Sequence, residues 1–265
     1  MKITITGSLG HISKPLTQKL IQQGHSVTVI SSKAERQKDI EALGAKAAIG
    51  TMEDVDFLTK TFKGADIVYL METLGAVSFS DPNLDYMAAI NKIANNYKQA
   101  VKDSGVKHLV HLSSIGAHTD KGNGMLAFHY NVENILKQLP EDISIKFMRP
   151  VGFYINMFAY IPTIKAQNAI IQNYGGDEKE PWVSPLDIAS IIAEEMEKPF
   201  EGRTIRYIAS DEVSPNEVAR ILGEAVGKPD LKWQVISDEQ ILNGMKAAGM
   251  NPEIAKGLVE MNEGR

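Results

Sequence analysis

The chain has 265 residues, 43% hydrophobic and 23% charged, a composition that builds a globular protein with a sizeable core. Its formal net charge of -5 argues against a nucleic-acid surface, which needs a basic stripe. With no cysteine, the chain has no disulfide, no thiolate nucleophile and no Cys-based metal site.

The predicted elements alternate along the chain. A strand at residues 3–5 runs through a glycine turn into a helix over 12–23, closed by Gly24. Strand 26–30 precedes helix 34–43, strand 47–49 helix 55–62, and strand 67–70 helix 84–104. Strand 109–112 precedes helix 125–138, and strand 145–148 follows. Beyond come helix 185–197, strand 205–208 and helices 215–226 and 238–248. Short apolar strands alternating with helices are the βαβ signature of a parallel sheet. Gly24, Gly44, Gly64 and Gly105 stand where helix C-caps belong. Ser214-Pro215-Asn216-Glu217 reads as an N-cap, a first-position Pro and an acid in the first turn. The first residues form a strand rather than a leader peptide, and no apolar run is long enough to span a bilayer. A cytoplasmic protein without membrane contact is expected.

Strand, glycine turn and helix at the start of the chain set a pyrophosphate on a helix N-terminus, where free N–H groups and the helix dipole favour negative charge. Gly7 allows the tight turn, and Gly10 lets backbone approach phosphate with no Cβ in the way. Gly7, Ser8, Leu9, Gly10, His11 and Ile12 are therefore candidate cofactor residues. An ordinary βα turn is the plainer reading of a lone glycine pair.

A doubly wound sheet binds ligands outside the carboxyl ends of its strands, so the informative residues follow each strand. After the second strand, NAD enzymes place an acid for the ribose hydroxyls. Here the run is Ser31-Ser32-Lys33-Ala34-Glu35-Arg36. Hydroxyls and two cations suit a 2′-phosphate, so Ser31, Ser32, Lys33 and Arg36 point to NADP (NADPH) over NAD. The alternative is a helix start capped by Ser31 or Ser32. After the fourth strand, Met71 and Glu72 of Met71-Glu72-Thr73-Leu74-Gly75 are expected near the adenine ribose and pyrophosphate. Glu72 is read as bonding a ribose hydroxyl or facing the substrate. His129 and Glu133 share a helix face. His129 is the candidate to bond the ribose or to donate a proton, against a solvated His–Glu pair. Tyr130, about 100° around the helix from it, is the second catalytic candidate. Asp187 reads as structural, at a helix N-terminus that ties the second part of the chain to the first. Tyr174-Gly175-Gly176-Asp177 reads as a turn at the pocket edge. No spacing of the histidines resembles a metal site.

Four motifs in order carry a family resemblance: Thr6-Gly7-Ser8-Leu9-Gly10-His11-Ile12-Ser13, Val110-His111-Leu112-Ser113-Ser114, Arg149-Pro150-Val151-Gly152-Phe153-Tyr154-Ile155-Asn156 and Trp182-Val183-Ser184-Pro185-Leu186-Asp187-Ile188-Ala189. With them the chain resembles the atypical short-chain dehydrogenases of the NmrA-like group, which includes NADPH-dependent quinone and dye reductases and redox-sensing regulators. The resemblance implies an α/β fold: a Rossmann doubly wound parallel sheet over 1–152 that binds NADP(H), and a smaller C-terminal α/β substrate region over 153–265 whose strand near 204–208 can return to the main sheet. It also implies Ser113 near the nicotinamide and Pro150 beside the carboxamide. Phe153 and Tyr154 would wall the pocket, or else pack the two parts together.

Two departures matter. Ser13 stands where the family has a third glycine, its hydroxyl expected to reach phosphate or to back-bond to the helix. The Tyr-x-x-x-Lys dyad of active short-chain dehydrogenases is absent: with helix 125–136 aligned through Glu133 and Leu136, its positions hold Met125 and His129. Reductases of the group often carry a similar His. The expected function is an NADPH-dependent oxidoreductase, a monomer or homodimer, passing hydride to a small apolar electron acceptor such as a quinone. The alternative is a non-catalytic NADP(H)-binding sensor, which the missing dyad and third glycine favour. A sugar-nucleotide epimerase is disfavoured, because that chemistry leans on the missing Tyr and Lys.

Overall fold

The computed structural model describes residues 1–74 and 79–263, so Gly75, at the end of the loop expected near the ribose, lies outside the described residues. β1 (Lys2–Ile5) leads into α1 (Ser13–Gln22), and β2 (Ser26–Ser31) into a 3-10 turn and α2 (Gln37–Ala42). β3 (Lys46–Ile49) leads into α3 (Val55–Phe62), β4 (Ile67–Leu70) into α4 (Tyr86–Ser104) and β5 (His108–Leu112) into α5 (Ala127–Leu136). After β6 (Ser144–Pro150) come β7 (Gly152–Phe153), α6 (Ile161–Gln167), β8 (Ala169–Gln172), β9 (Glu180–Val183) and α7 (Pro185–Glu197). The chain ends with β10 (Arg203–Ile208), β11 (Asp211–Val213), α8 (Pro215–Ala225), β12 (Lys232–Val235), α9 (Asp238–Ala247) and α10 (Pro252–Glu263).

Seven parallel strands form the central sheet in the order β10-β6-β5-β4-β1-β2-β3. The order reverses between β1 and β4, the place where a doubly wound sheet opens a crevice at its strand ends. Alternate side chains point to opposite faces. Val110 and Leu112 of β5 therefore join Leu16, Leu20, Ile188 and Ile192 of α1 and α7 in one buried cluster. Leu109 joins Leu58, Phe62, Tyr97, Val132 and Leu136 of α3, α4 and α5 in the other. A third cluster, around Ile164, Ile170, Tyr174, Val218 and Trp233, holds the C-terminal part together.

The C-terminal part of the chain also serves the main sheet. β10 pairs with β6 as an edge strand, and α7 packs on α1, where Lys19 Nζ donates to Ser190 Oγ at 3.0 Å. Asp54, Asp85, Ser184, Ser214 and Ser237 accept a backbone N–H at the starts of α3, α4, α7, α8 and α9. Asp187 is thus not the cap of α7. It accepts from Ser210 Oγ at 2.5 Å and fixes the first turn of α7 to the end of β10. Gly24, Gly44, Gly64 and Gly105 all have positive φ, as C-caps require. The helix expected over 34–43 divides into a 3-10 turn and α2, and that over 125–138 starts as a 3-10 turn. Among the described residues, no helix is long and apolar enough to cross a membrane.

Candidate functional site

The Gly7 turn is closed by a 3.1 Å hydrogen bond from Gly10 N to Gly7 O. Gly7 has φ 85° and Ser8 φ 54°, so two successive residues lie in the left-handed region. A Cβ on Gly7 would stand 2.5 Å from Ser13 Oγ and 3.0 Å from the Met71 side chain. Ser13 takes neither expected role. Its hydroxyl, buried beneath the turn, donates to the carbonyl of Thr6 at 3.0 Å, using the space that the missing Gly7 Cβ leaves. No side chain caps α1, and its first turn carries no acid. Lys14 N donates to the Gly10 carbonyl at 3.0 Å and Pro15 has no N–H, so what the start of α1 offers an anion is the backbone N–H groups ahead of Lys14. The Leu9 and Ile12 side chains pack in the core, so these two residues offer backbone only, while His11 is exposed.

Beside this turn, three polar groups converge. Ser8 Oγ donates to Ser31 Oγ at 2.9 Å, and Arg36 Nη1 donates to Ser8 Oγ at 3.3 Å. They line a cavity of about 630 Å³ with Gly7, Ser32, Lys33, Met52 and Thr73. Neither serine caps the following turn: the capping position is Lys33, and Ser31 ends β2 while its Oγ accepts from Lys33 N at 3.2 Å. Glu53 also lines the cavity, with its carboxylate held by Lys92 at 3.1 Å. A cradle with no room for a Cβ, two hydroxyls and a guanidinium fits the phosphates of a dinucleotide.

Glu72 turns away from this cavity. Its carboxylate accepts a 3.0 Å hydrogen bond from His111 Nε2, and both side chains are fully buried. The Glu72 side chain, expected to bond a ribose hydroxyl or face the substrate, is bonded to His111 inside the protein. Met71 holds the turn: its N–H donates to Thr6 Oγ1 at 2.9 Å and its carbonyl accepts from Tyr97 at 2.7 Å. His129 is half-buried on α5, its ring against Phe128. Burial and the neighbouring His111 push its pKa down to about 3, against an opposing pull from Glu133. Glu72 Oε1, His111 Nδ1 and His129 Nδ1 are buried with no partner among the described residues. Each such atom costs about 1–3 kcal/mol unless something completes it.

The alternative of a solvated pair of His129 with Glu133 does not hold. Glu133 is fully buried and accepts Ser113 Oγ at 2.6 Å, Arg149 Nε at 2.8 Å, Arg149 Nη2 at 2.7 Å and Lys137 Nζ at 3.0 Å. Burial alone would raise the Glu133 pKa, but these donors outweigh it and hold the carboxyl below its ordinary range. Ser113 is thus a support of the β5 turn, its hydroxyl committed inward. Pro150 ends β6, buried, and the half-buried Phe153 packs on the main core, while Tyr154 stacks on Trp182 at 5.9 Å. Tyr130 lies off the inward face formed by His129, Val132, Glu133 and Leu136.

A second cavity, of about 800 Å³, opens over the ends of β5 and β6. Ile115, Leu126, Val151 and Met261 give it apolar walls, and the segment from Gly175 to Pro181 forms a polar rim. Residues of α10 close this side: Gly124 meets Gly257 so tightly that a Cβ on it would stand 1.9 Å from the Gly257 carbonyl.

A glycine turn, an uncapped α1 and a strand order reversing at β1 and β4 agree with the family comparison. The NmrA-like family model matches residues 1–264. The chain belongs to the NmrA-like family. A curated relative, the NAD(P)H azoreductase of Xenophilus azovorans, is 24% identical over 260 residues, 98% of this chain and 85% of that one. The triphenylmethane reductase of Citrobacter sp. is similar in structure, with a TM-score of 0.79 at 22% identity over 99% of this chain and 90% of that one. An NADPH-dependent quinone oxidoreductase of Escherichia coli gives 0.79 at 20% identity over 99% and 88%. At these identities the structures share the NmrA-like fold.

Sequence reasoning missed His111 and Arg149 as site residues. A charged or titratable side chain inside an otherwise apolar strand, as in His108-Leu109-Val110-His111-Leu112 and Phe147-Met148-Arg149, is the signal that marks them, since such groups are rarely buried without a partner.

Proposed function

We propose that the chain is an NADPH-dependent reductase that passes hydride to a small apolar acceptor such as a quinone. The observation that carries this reading is the pair of cavities at the strand ends, one beside Ser8, Ser31 and Arg36 and one over β5 and β6, where Ile115, Leu126, Val151 and Met261 form an apolar wall beside a polar rim. Ser8, Ser31 and Arg36 would hold the 2′-phosphate of the cofactor, and the start of α1 its diphosphate. A hydrogen bond to a charged group contributes about 1.5–3 kcal/mol, enough to favour NADPH over NADH by about tenfold or more. When bound, the dihydronicotinamide supplies the hydride. The protein's part is to orient the acceptor and exclude water, which Ile115, Leu126, Val151 and Met261 would do. A quinone asks little acid strength of its site, because its reduced oxygens are stabilised as phenolates. The dye, quinone and azo activities in the names of its relatives support this reading.

The test is titration with NADPH and NADH, followed by the fluorescence of Trp182 and Trp233, then NADPH oxidation with a panel of quinones. Tighter binding of NADPH with turnover is expected. Tight binding with no turnover on any acceptor favours a nucleotide sensor instead, and no binding of either nucleotide removes both readings.

A further inference from the structure

Among the described residues, His118 is the one histidine that lines the cavity over β5 and β6, and the function above gives it no part. It ends the 3-10 turn Ile115–His118 that follows β5. The backbone of this turn is tied down along its length. Asn123 Nδ2 donates to the Gly116 carbonyl at 2.8 Å and to the Thr119 carbonyl at 2.7 Å, and Arg149 Nη2 donates to the Ala117 carbonyl at 3.2 Å. The carbonyls before and after His118 are thus both held, by side chains that are themselves buried. The ring is held too, since His118 Nδ1 donates to the Ile115 carbonyl at 3.1 Å. A carbonyl only accepts, so this bond keeps a proton on Nδ1 whether the ring is neutral or charged. Nε2 is then the nitrogen that gains a proton or gives it up, and the residue is exposed, so water can exchange with it directly. The other ionisable groups around the cavity are Lys121, Asp177, Glu178, Lys179 and Glu180. Ordinary carboxylates and ammonium groups keep one charge near neutrality, whereas histidine changes its own there.

We propose that His118, as the imidazolium, gives a proton to the acceptor reduced in this cavity. The proposal rests on the reductase reading above. Reducing a quinone takes a hydride, which carries both electrons from the dihydronicotinamide, and a proton. Hydride addition leaves the acceptor with an anionic oxygen. An O–H bond forms there as the Nε2–H bond of His118 breaks, its electron pair staying on nitrogen. The neutral ring that remains keeps its Nδ1–H bond to Ile115, and water returns a proton to Nε2. The acid need only be weak, because the reduced oxygens of a quinone are stabilised as phenolates. What the fold adds is position: the turn and the ring are both fixed before the acceptor arrives.

Two acceptors separate the proton from the hydride. A quinone needs both, whereas a triphenylmethane dye cation accepts hydride at carbon and needs no proton. Positioned proton transfer contributes about 10²–10⁴-fold, and a quinone belongs at the low end, so His118→Gln should lower the ratio of quinone to dye turnover by about a hundredfold. Equal loss on both acceptors by a folded variant would overturn the proposal and leave the reductase reading standing. Turnover of neither acceptor by the wild-type protein would overturn the reductase reading, and the proposal with it. A second measurement needs no variant. With NADP⁺ bound, so that no hydride is available, menadione should shift the ring ¹⁵N signals of His118, Nε2 more than Nδ1. A quinone that the enzyme turns over but that leaves this ring unmoved refutes the proposal.

Discussion

Arg149 and Glu133 meet as a two-pronged ion pair beneath the site, Nε to Oε1 at 2.8 Å and Nη2 to Oε2 at 2.7 Å, with both side chains buried. Arg149 also donates to the Ala117 carbonyl at 3.2 Å, and Ser113 donates to the same Glu133 oxygen as Arg149 Nε. One strand residue and one helix residue, 16 apart in the chain, thus fix the loop that floors the cavity over β5 and β6.

Removing one partner leaves the other charged and buried. Arg149→Met should lower stability by about 3–5 kcal/mol, read from urea unfolding at neutral pH. The pair also predicts a sign with pH. The folded-state pKa of Glu133 lies below its unfolded value, so its contribution is present above the ordinary carboxylate range and is lost as pH falls through the lowered folded value. Acid unfolding of Glu133→Gln should be less steep than that of the wild type. Equal slopes would show that the pair does not act this way.

His129 gives a second pH dependence in a different window. Its pKa falls from 6.5 in the unfolded chain to about 3 in the folded protein, so the unfolded state binds more protons between those values. Stability from this group is complete above pH 6.5 and declines as pH drops toward 3. Denaturant unfolding at pH 7 and pH 5 should show a smaller drop for His129→Phe than for the wild type; an identical drop would mean that the folded His129 is not held neutral.

Arg36→Ala should weaken NADPH binding by about 1.5–3 kcal/mol, or roughly tenfold or more, and leave NADH almost untouched. Tryptophan fluorescence titration reads both. An equal effect on the two nucleotides would sink the 2′-phosphate assignment to Ser8, Ser31 and Arg36.

Gly7 and Ser13 are complementary, so their variants should not add. Gly7→Ala forces a side chain into the left-handed region and against Ser13 Oγ, and should cost about 1–3 kcal/mol with loss of nucleotide binding. Ser13→Gly on that background removes the clash and should restore part of the stability, measured as a double-mutant cycle. Independent effects would mean that the two do not share that space.

The central sheet was legible in the sequence because its signals are local. All seven of its strands, including β10, and the glycine caps at Gly24, Gly44, Gly64 and Gly105 follow from short-range patterning and from φ values only glycine adopts easily. The small strands β7, β8, β9, β11 and β12 were not, since they lie outside the regular strand–helix alternation and gain their stability from partners far along the chain, as β8 does from β12. α10 escaped for a related reason: its meaning lies in meeting Gly124, which is over a hundred residues away.

The same division runs through the site. The sequence by itself determined the glycine turn at Gly7 and Gly10 and the hydroxyl and guanidinium set of Ser31 and Arg36 beside it, because each sits within a few residues of a strand end that the fold must expose. Only the tertiary structure decided what Ser13, Glu72, Ser113 and Glu133 do. Their hydroxyls and carboxylates find Thr6, His111, Glu133 and Arg149, because a polar group that folding buries must take the nearest partner geometry offers. Where that partner comes from is a property of how strands and helices pack, and no local pattern records it.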